Sequence, residues 1–409
     1  MASSASSYSA NGASRQRVKS QKESNGYTNG HVNGNANGNG IAKANGNGNA
    51  NGKIQRSSGQ RSQSQPQSQP QRKNFATSHT WFIPLILILA IGALYALNPT
   101  PNNILHRFIF LSYEQPQTNP ETPIQYGKGL WDIAFVSFYT LVLTFTREFI
   151  MQELLFPLAK AYIKSERKQA RFMEQMYTVI YFGFTGAAGV YVMSRSPVWY
   201  FNTTAMYEGF PHRTHEAAFK FYYLFEAAYW AQQAIVMILG QEEKRKDFKE
   251  LVAHHIVTLS LVGLSYRFHF TYMGIVIYIT HDVSDFFLAI SKSFHYTGSD
   301  LVIPALTINV FAWVYLRHYI NLRVMWSILT EFRTVGPYEL NWETQQYKCW
   351  ISCIITFSLL AMLQALNLFW LYCLGRSSWK FLTTGEKKDD RSDDSEEEQE
   401  PEQIDHEKQ

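Results

Sequence analysis

The sequence predicts an all-α polytopic membrane protein with about eight transmembrane helices between disordered tails. Three observations carry this. Apolar stretches of bilayer-spanning length recur along the 409 residues, of which 46% are hydrophobic. Both ends are almost free of apolar residues. Clusters of Lys and Arg fall in alternate connections, as expected of loops kept on one side of a bilayer.

Residues 1–75 are mostly Asn, Gly, Ser and Gln, and residues 384–409 are strongly acidic. Neither tail has enough apolar surface to offset the entropy of ordering, so both are expected to be disordered. The first span lies within 76–100, at about Thr80 to Leu97. Six more follow within 128–330: about Leu130 to Ile150, Gln175 to Met193, Ala217 to Leu239, Val252 to Tyr266, Tyr272 to Phe294, and Leu301 to Tyr319. The last lies within 347–375. No cleavable signal peptide is visible, because the first apolar run begins only near Trp81.

Charge sets the orientation. Lys160, Lys164, Arg167, Lys168 and Arg171 follow the second span, and Lys244, Arg245, Lys246 and Lys249 follow the fourth. Arg72 and Lys73 precede the first. With eight spans all three clusters share one face, so both termini are expected to be cytosolic. The sequon Asn202-Thr203-Thr204 then falls on the lumenal side, making Asn202 a candidate glycosylation site. A net charge of +4 is too small to argue for nucleic acid. The three cysteines, Cys349, Cys353 and Cys373, all fall in the last apolar stretch, which argues against a disulfide framework or a sulfur-rich zinc site.

The chemistry concentrates in HHIVTLSLVGLSYRFHFTYMGIVIYITHDVSDFFLAISKSFHY. It places His254 and His255 at the mouth of one apolar segment and His281, Asp282 and Asp285 inside the next. An ionisable side chain within a membrane costs several kcal/mol unless paired or hydrated, so this set predicts a buried polar chamber. His281 and Asp285 share a helix face at i, i+4, whereas Asp282 lies about 100° round, as His254 and His255 do from each other. An imidazole steadied by a carboxylate is the group acyl transfer needs, as base or nucleophile. Single residues have plainer uses. A lone histidine often makes only a helix–helix hydrogen bond, and Lys292 sits where a lysine snorkels to the surface. Glu226, Arg317 and His318 are further polar residues within spans and candidates to line the cavity.

A metal centre is not expected. The HxxxH and HxxHH clusters of di-iron membrane enzymes are missing; His212 and His215 give only HRTH, in a loop. Two adjacent histidines and an aspartate could by identity hold one zinc ion. A transporter using the histidines as a proton relay would call for paired broken helices and internal symmetry, and no convincing repeat is present.

The stretch from His254 to Tyr296 resembles the Lag motif of ceramide synthases, in its HH pair, Gly274, HDVSD and the terminal KSFHY. Residues 171–374 resemble the surrounding TLC domain. The Asn/Gly-rich tail, with no homeodomain-like segment between the first two spans, is similar to fungal members. The resemblance implies an endoplasmic reticulum enzyme that joins a sphingoid long-chain base to the acyl group of a fatty acyl-CoA. It also implies a co-substrate but no bound cofactor, and a six-helix, barrel-like core over spans two to seven opening to the cytosol. His254 and His255 match the motif's essential pair; Asp282 and Asp285 match its aspartates, with His281 beside them.

On that basis His254, oriented by Asp285, is expected to take the acyl group or act as base, while His255 or His281 accepts the proton of the incoming amine. The basic clusters are candidates to attract the phosphates of CoA. The connection from Glu331 to Gln346 matches the family region that influences acyl length. A small single-pass accessory subunit, and a dimer with itself or another synthase subunit, are implied partners. Ser392 and Ser395, followed by acidic residues, suit acidophilic kinases. The competing reading is a non-enzymatic TLC-domain protein of lipid sensing or translocation, whose members generally lack the complete HH…HDxxD set.

Overall fold

The computed structural model describes residues 79–384 except 118, 243 and 244. The tails, with Arg72, Lys73, Ser392 and Ser395, and Lys244 of the second basic cluster lie outside the described residues. Among the described residues, eight long helical elements lie over the eight predicted spans. They are α1 (Phe82–Ala96), α2 (Trp131–Tyr162), α3 (Glu166–Ser194) and α4 (Ala217–Leu239), then α5 (Phe248–Arg267), α6 (Thr271–Thr297), α7 (302–330) and α8 (Trp350–Thr384). The only paired strands among the described residues are β1 (Gln125–Tyr126) and β2 (His215–Glu216), which join antiparallel.

Among the described residues, four helices are long and apolar enough to cross a bilayer on length and composition alone: α2, α3, α6 and residues Trp350–Lys380 of α8. Helix α1 is apolar but shorter. Helices α4, α5 and α7 carry Glu226, His254, His255, Arg317 and His318, all of them buried. Their polar load therefore faces protein, as a membrane span requires.

Several helices exceed the apolar stretch that betrays them. Helix α2 runs on past Ile150 through one π-helical stretch (Ile150–Leu155) to Tyr162. Helix α3 begins at Glu166, capped by Ser165. Outside the hydrocarbon a helix need not be apolar, so hydropathy registers only its middle.

Helix α6 is the hub. It packs most extensively on α3 and also meets α5 and α7, while α4 packs on α2, α3 and α5. Small residues allow the close approach of α3 and α6. At Gly189 a Cβ would lie 2.9 Å from Ile279 and collide with the Tyr222 hydroxyl. Helix α8 packs against α5 and α7, so the wall of the interior also draws on the last span. At the end of the bundle away from the α2–α3 connection, the hydroxyls of Thr203 and Thr204 each donate to the Glu331 carboxylate at 3.0 Å. Asn202 beside them is exposed.

Candidate active site where two cavities meet

Two cavities penetrate the bundle. One is almost wholly apolar, walled by α5, α6 and α8 and floored by Phe268, Phe270, Trp342 and Tyr347. The other is charged and lies toward the α2–α3 and α4–α5 connections, with Arg147, Arg171, Arg245 and Lys292 on its wall. Among the described residues, Trp230 and His254 line both. The site is the place where they meet.

Helix α5 positions the histidine pair. His254 and His255 sit two turns into it, each about 7% exposed, with rings 5.9 Å apart and perpendicular. Adjacent helical positions diverge by about 100°, so His254 reaches both cavities and His255 only the charged one. The His255 Nδ1–H donates to the Leu251 carbonyl at 2.9 Å, which leaves Nε2 as the acceptor in the neutral ring. His254 Nε2 lies 3.5 Å from the Thr258 hydroxyl, and its Nδ1 has no hydrogen-bond partner among the described residues. Trp230 and Trp370 meet His254 edge-on at 5.6 and 5.3 Å.

Helix α6 spreads its triplet over both cavities: His281 and Asp282 line the apolar one, Asp285 the charged one. The Tyr222 hydroxyl donates to Asp282 Oδ2 at 3.1 Å. Asp285 forms an ion pair with Arg317 Nη2 at 2.6 Å. The expected orientation of His254 by Asp285 is therefore corrected. A guanidinium from α7 takes that carboxylate, because a charge-assisted contact at this distance outweighs one to a neutral imidazole.

His281 is corrected in the same way as an acceptor for the amine proton. Its Nδ1–H donates to the Ile277 carbonyl at 2.8 Å, and its Nε2 accepts from the Asn367 amide at 3.3 Å. Both ring nitrogens are in use, and they tie the ring to its own helix and to α8.

Arg317 gathers the rest of the network. Besides Asp285, it donates from Nε to Ser284 at 2.6 Å, from Nη1 to Asn367 at 3.2 Å and from Nη2 to the His281 carbonyl at 3.3 Å, and it stacks over Trp313 at 4.2 Å. It belongs to a π-helical stretch of α7, Trp313–Ile320. That widened turn lets the neighbours Arg317 and His318 both point inward, to α6 and to Gln364 of α8.

Of the other candidates, Glu226 is buried against the Tyr181 hydroxyl at 3.2 Å and lines neither cavity, whereas Lys292 lines the charged one. His212 and His215 lie at the opposite end, bonded to the Glu208 carbonyl and to Thr271 at 2.8 Å each. Among the described residues no three His, Cys, Asp or Glu side chains gather at metal-binding spacing. Asn367 and Trp230 were not singled out from sequence. Asn367 was findable by the rule that found the histidines, as a polar side chain within an apolar span. Trp230 had no such signal, since an indole in a membrane helix is ordinary.

A family model for the TLC domain matches residues 171–376. The sphingosine N-acyltransferase-like protein FUM17 of Gibberella moniliformis is 52% identical over 320 residues, 77% of this chain and 82% of that one. Sphingosine N-acyltransferase lac1 of Schizosaccharomyces pombe is 48% identical over 320 residues, 78% of this chain and 82% of its own. Ceramide synthase LAG1 of Saccharomyces cerevisiae is 46% identical over 318 residues, 77% of this chain and 76% of its own. With an apolar cavity meeting a charged one at the paired histidines of its Lag motif, the chain belongs to the ceramide synthase family of TLC-domain membrane proteins.

Proposed function

We propose that this protein is an acyltransferase that makes ceramide, joining a fatty acyl group from acyl-CoA to the amine of a sphingoid long-chain base, in the endoplasmic reticulum membrane with both termini cytosolic. The observation that carries the proposal is the position of His254. It stands where a cavity fit for an acyl chain meets one fit for a charged carrier. A thioester carbonyl held at that junction has its alkyl chain in the apolar cavity and its CoA in the charged one. Arg147, Arg171, Arg245, Lys292 and Arg317 on that wall outnumber Glu174, Glu242 and Asp285, which leaves it net positive toward phosphate.

The reaction divides between the two histidines. An imidazole nitrogen of His254 attacks the thioester carbon, CoA leaves as the thiol, and the acyl group rests on the ring as an acyl-imidazole. A free alkylammonium has a pKa near that of Lys, about 10.4, so the incoming amine must lose a proton before it attacks. His255 Nε2, left as acceptor by the bond at Nδ1, takes that proton. Attack by the amine then releases His254 and forms the amide. Asp285, Arg317, Asn367 and His281 hold α6, α7 and α8 around the reacting centre.

Membranes containing the protein, given a labelled long-chain acyl-CoA and a sphingoid base, should form the amide, identified by mass. Replacing His254 with Ala should abolish it at unchanged protein abundance, whereas Asp285→Ala, which strands the buried Arg317, should lower activity and protein abundance together. Full activity in His254→Ala would overturn the scheme.

A further inference from the structure

Acyl transfer pushes charge onto the carbonyl oxygen, so the reaction as read above needs a hydrogen-bond donor aimed at the reacting centre. Most polar hydrogens near His254 are already committed. Arg317 spends its donors on Ser284, Asn367, Asp285 and the His281 carbonyl. Trp370 Nε1 donates to Asp247 at 3.0 Å, and His255 Nδ1 to Leu251. The Asn367 amide donates to His281, and the Tyr222 hydroxyl to Asp282.

Trp230 differs. Its indole N–H is buried and has no partner among the described residues. Indole is a donor with no acceptor function, and such a donor left buried and unpaired loses its hydrogen bond to water without replacement. Its position is specific as well. Trp230 shares with His254 the place where the cavities meet, and its ring stands edge-on to His254 at 5.6 Å and to His255 at 6.1 Å. Trp313 Nε1 and the hydroxyls of Tyr177 and Tyr278 are also buried without partners among the described residues, but each lines a single cavity.

We propose that Trp230 is a further catalytic residue, its indole N–H donating to the carbonyl oxygen of the acyl group during transfer. The assignment rests on the acyl-CoA reading of the site. When His254 attacks, the carbonyl π pair moves to oxygen, and the indole N–H holds that oxyanion. The pair returns as the carbon–sulfur bond breaks, and the thiolate becomes the thiol with the N–H proton that the acylated His254 ring gives up. The same donor holds the second oxyanion when the amine attacks the acyl-imidazole. As that oxyanion collapses, the bond from the carbonyl carbon to the imidazole breaks and the surplus proton on nitrogen goes to the departing His254 ring, the ammonium proton having already passed to His255. The indole itself is neither protonated nor deprotonated.

The test replaces Trp230 with 3-benzothienylalanine, which keeps the bicyclic ring and puts sulfur where the N–H was, alongside Trp230→Phe as a second variant. Two readouts are taken: kcat for amide formation, and the Kd of an S-alkyl-CoA thioether, which has no carbonyl to accept the bond. Loss of one oxyanion donor should lower kcat by about 10²–10³-fold. Thioether affinity should stay within about threefold.

If kcat is retained in the benzothienyl variant, the assignment is overturned. If kcat and thioether affinity fall together in both variants, the ring only packs and the assignment is again overturned. Wild-type protein that binds neither acyl-CoA nor the thioether and forms no amide removes the functional reading itself, and the role of Trp230 with it.

Discussion

One amide on α8 holds two side chains of the site. Asn367 accepts from Arg317 through Oδ1 and donates to His281 through Nδ2, fixing which nitrogen of that imidazole carries the proton. In the proposed reaction this division leaves His255 as the acceptor for the amine proton. His255→Ala should therefore lower kcat about 10²–10⁴-fold at neutral pH. The deficit should shrink as pH rises, because the free-amine fraction grows about tenfold per unit until the amine pKa is reached. The check is the pH profile of the variant, since a ring that merely packs would leave it parallel to that of the wild type. At this scale the sequence announced the ionisable residues, because five buried ones between 254 and 285 are too costly to be incidental. It did not announce their partners. Spacing along α6 says that His281 and Asp285 share a face, but not that α7 delivers Arg317 to that carboxylate.

The elements were legible where they are apolar. The predicted Ala217–Leu239 span is helix α4 itself, whereas α2 and α8 run on beyond the apolar stretches that marked them. The π-helical stretch in α7 left no trace in composition, since it depends on backbone register.

The connection between α5 and α6 shows a second element-scale property. There His269 meets Lys128 at 3.3 Å and Gln345 at 3.2 Å, and Lys128 also donates to the His212 carbonyl at 2.8 Å. Burial pushes His212 down to about 4 and His269 to about 3, with Lys128 adding to both; His215 is pushed well down too. An unfolded chain protonates these rings near pH 6.5, whereas the folded one resists until far lower. The unfolded state thus binds more protons as pH falls through this window, and stability must drop from about pH 6.5 downward. Thermal unfolding in detergent should show Tm decreasing between pH 6.5 and 5, with a shallower decrease in His212→Gln. An unchanged slope in that variant would show that His212 does not contribute.

At the scale of the whole molecule, eight apolar stretches predicted about eight spans, and eight long helical elements lie over them among the described residues. Two features of the interior were beyond reach of a linear reading: that α8 walls the apolar cavity, and that the two cavities share His254 and Trp230. Each depends on how helices distant in sequence are packed.

Among the described residues His254 is the one imidazole that lines both cavities, where the proposed reaction places the chain to be transferred and the carrier that brings it. The direct measurement is mass analysis of the purified protein incubated with a long-chain acyl-CoA and no sphingoid base. The account predicts one acyl group added to the peptide bearing His254, lost as amide appears when the base is supplied. Amide formation with that peptide unmodified throughout, or with His254→Ala still active, would contradict it.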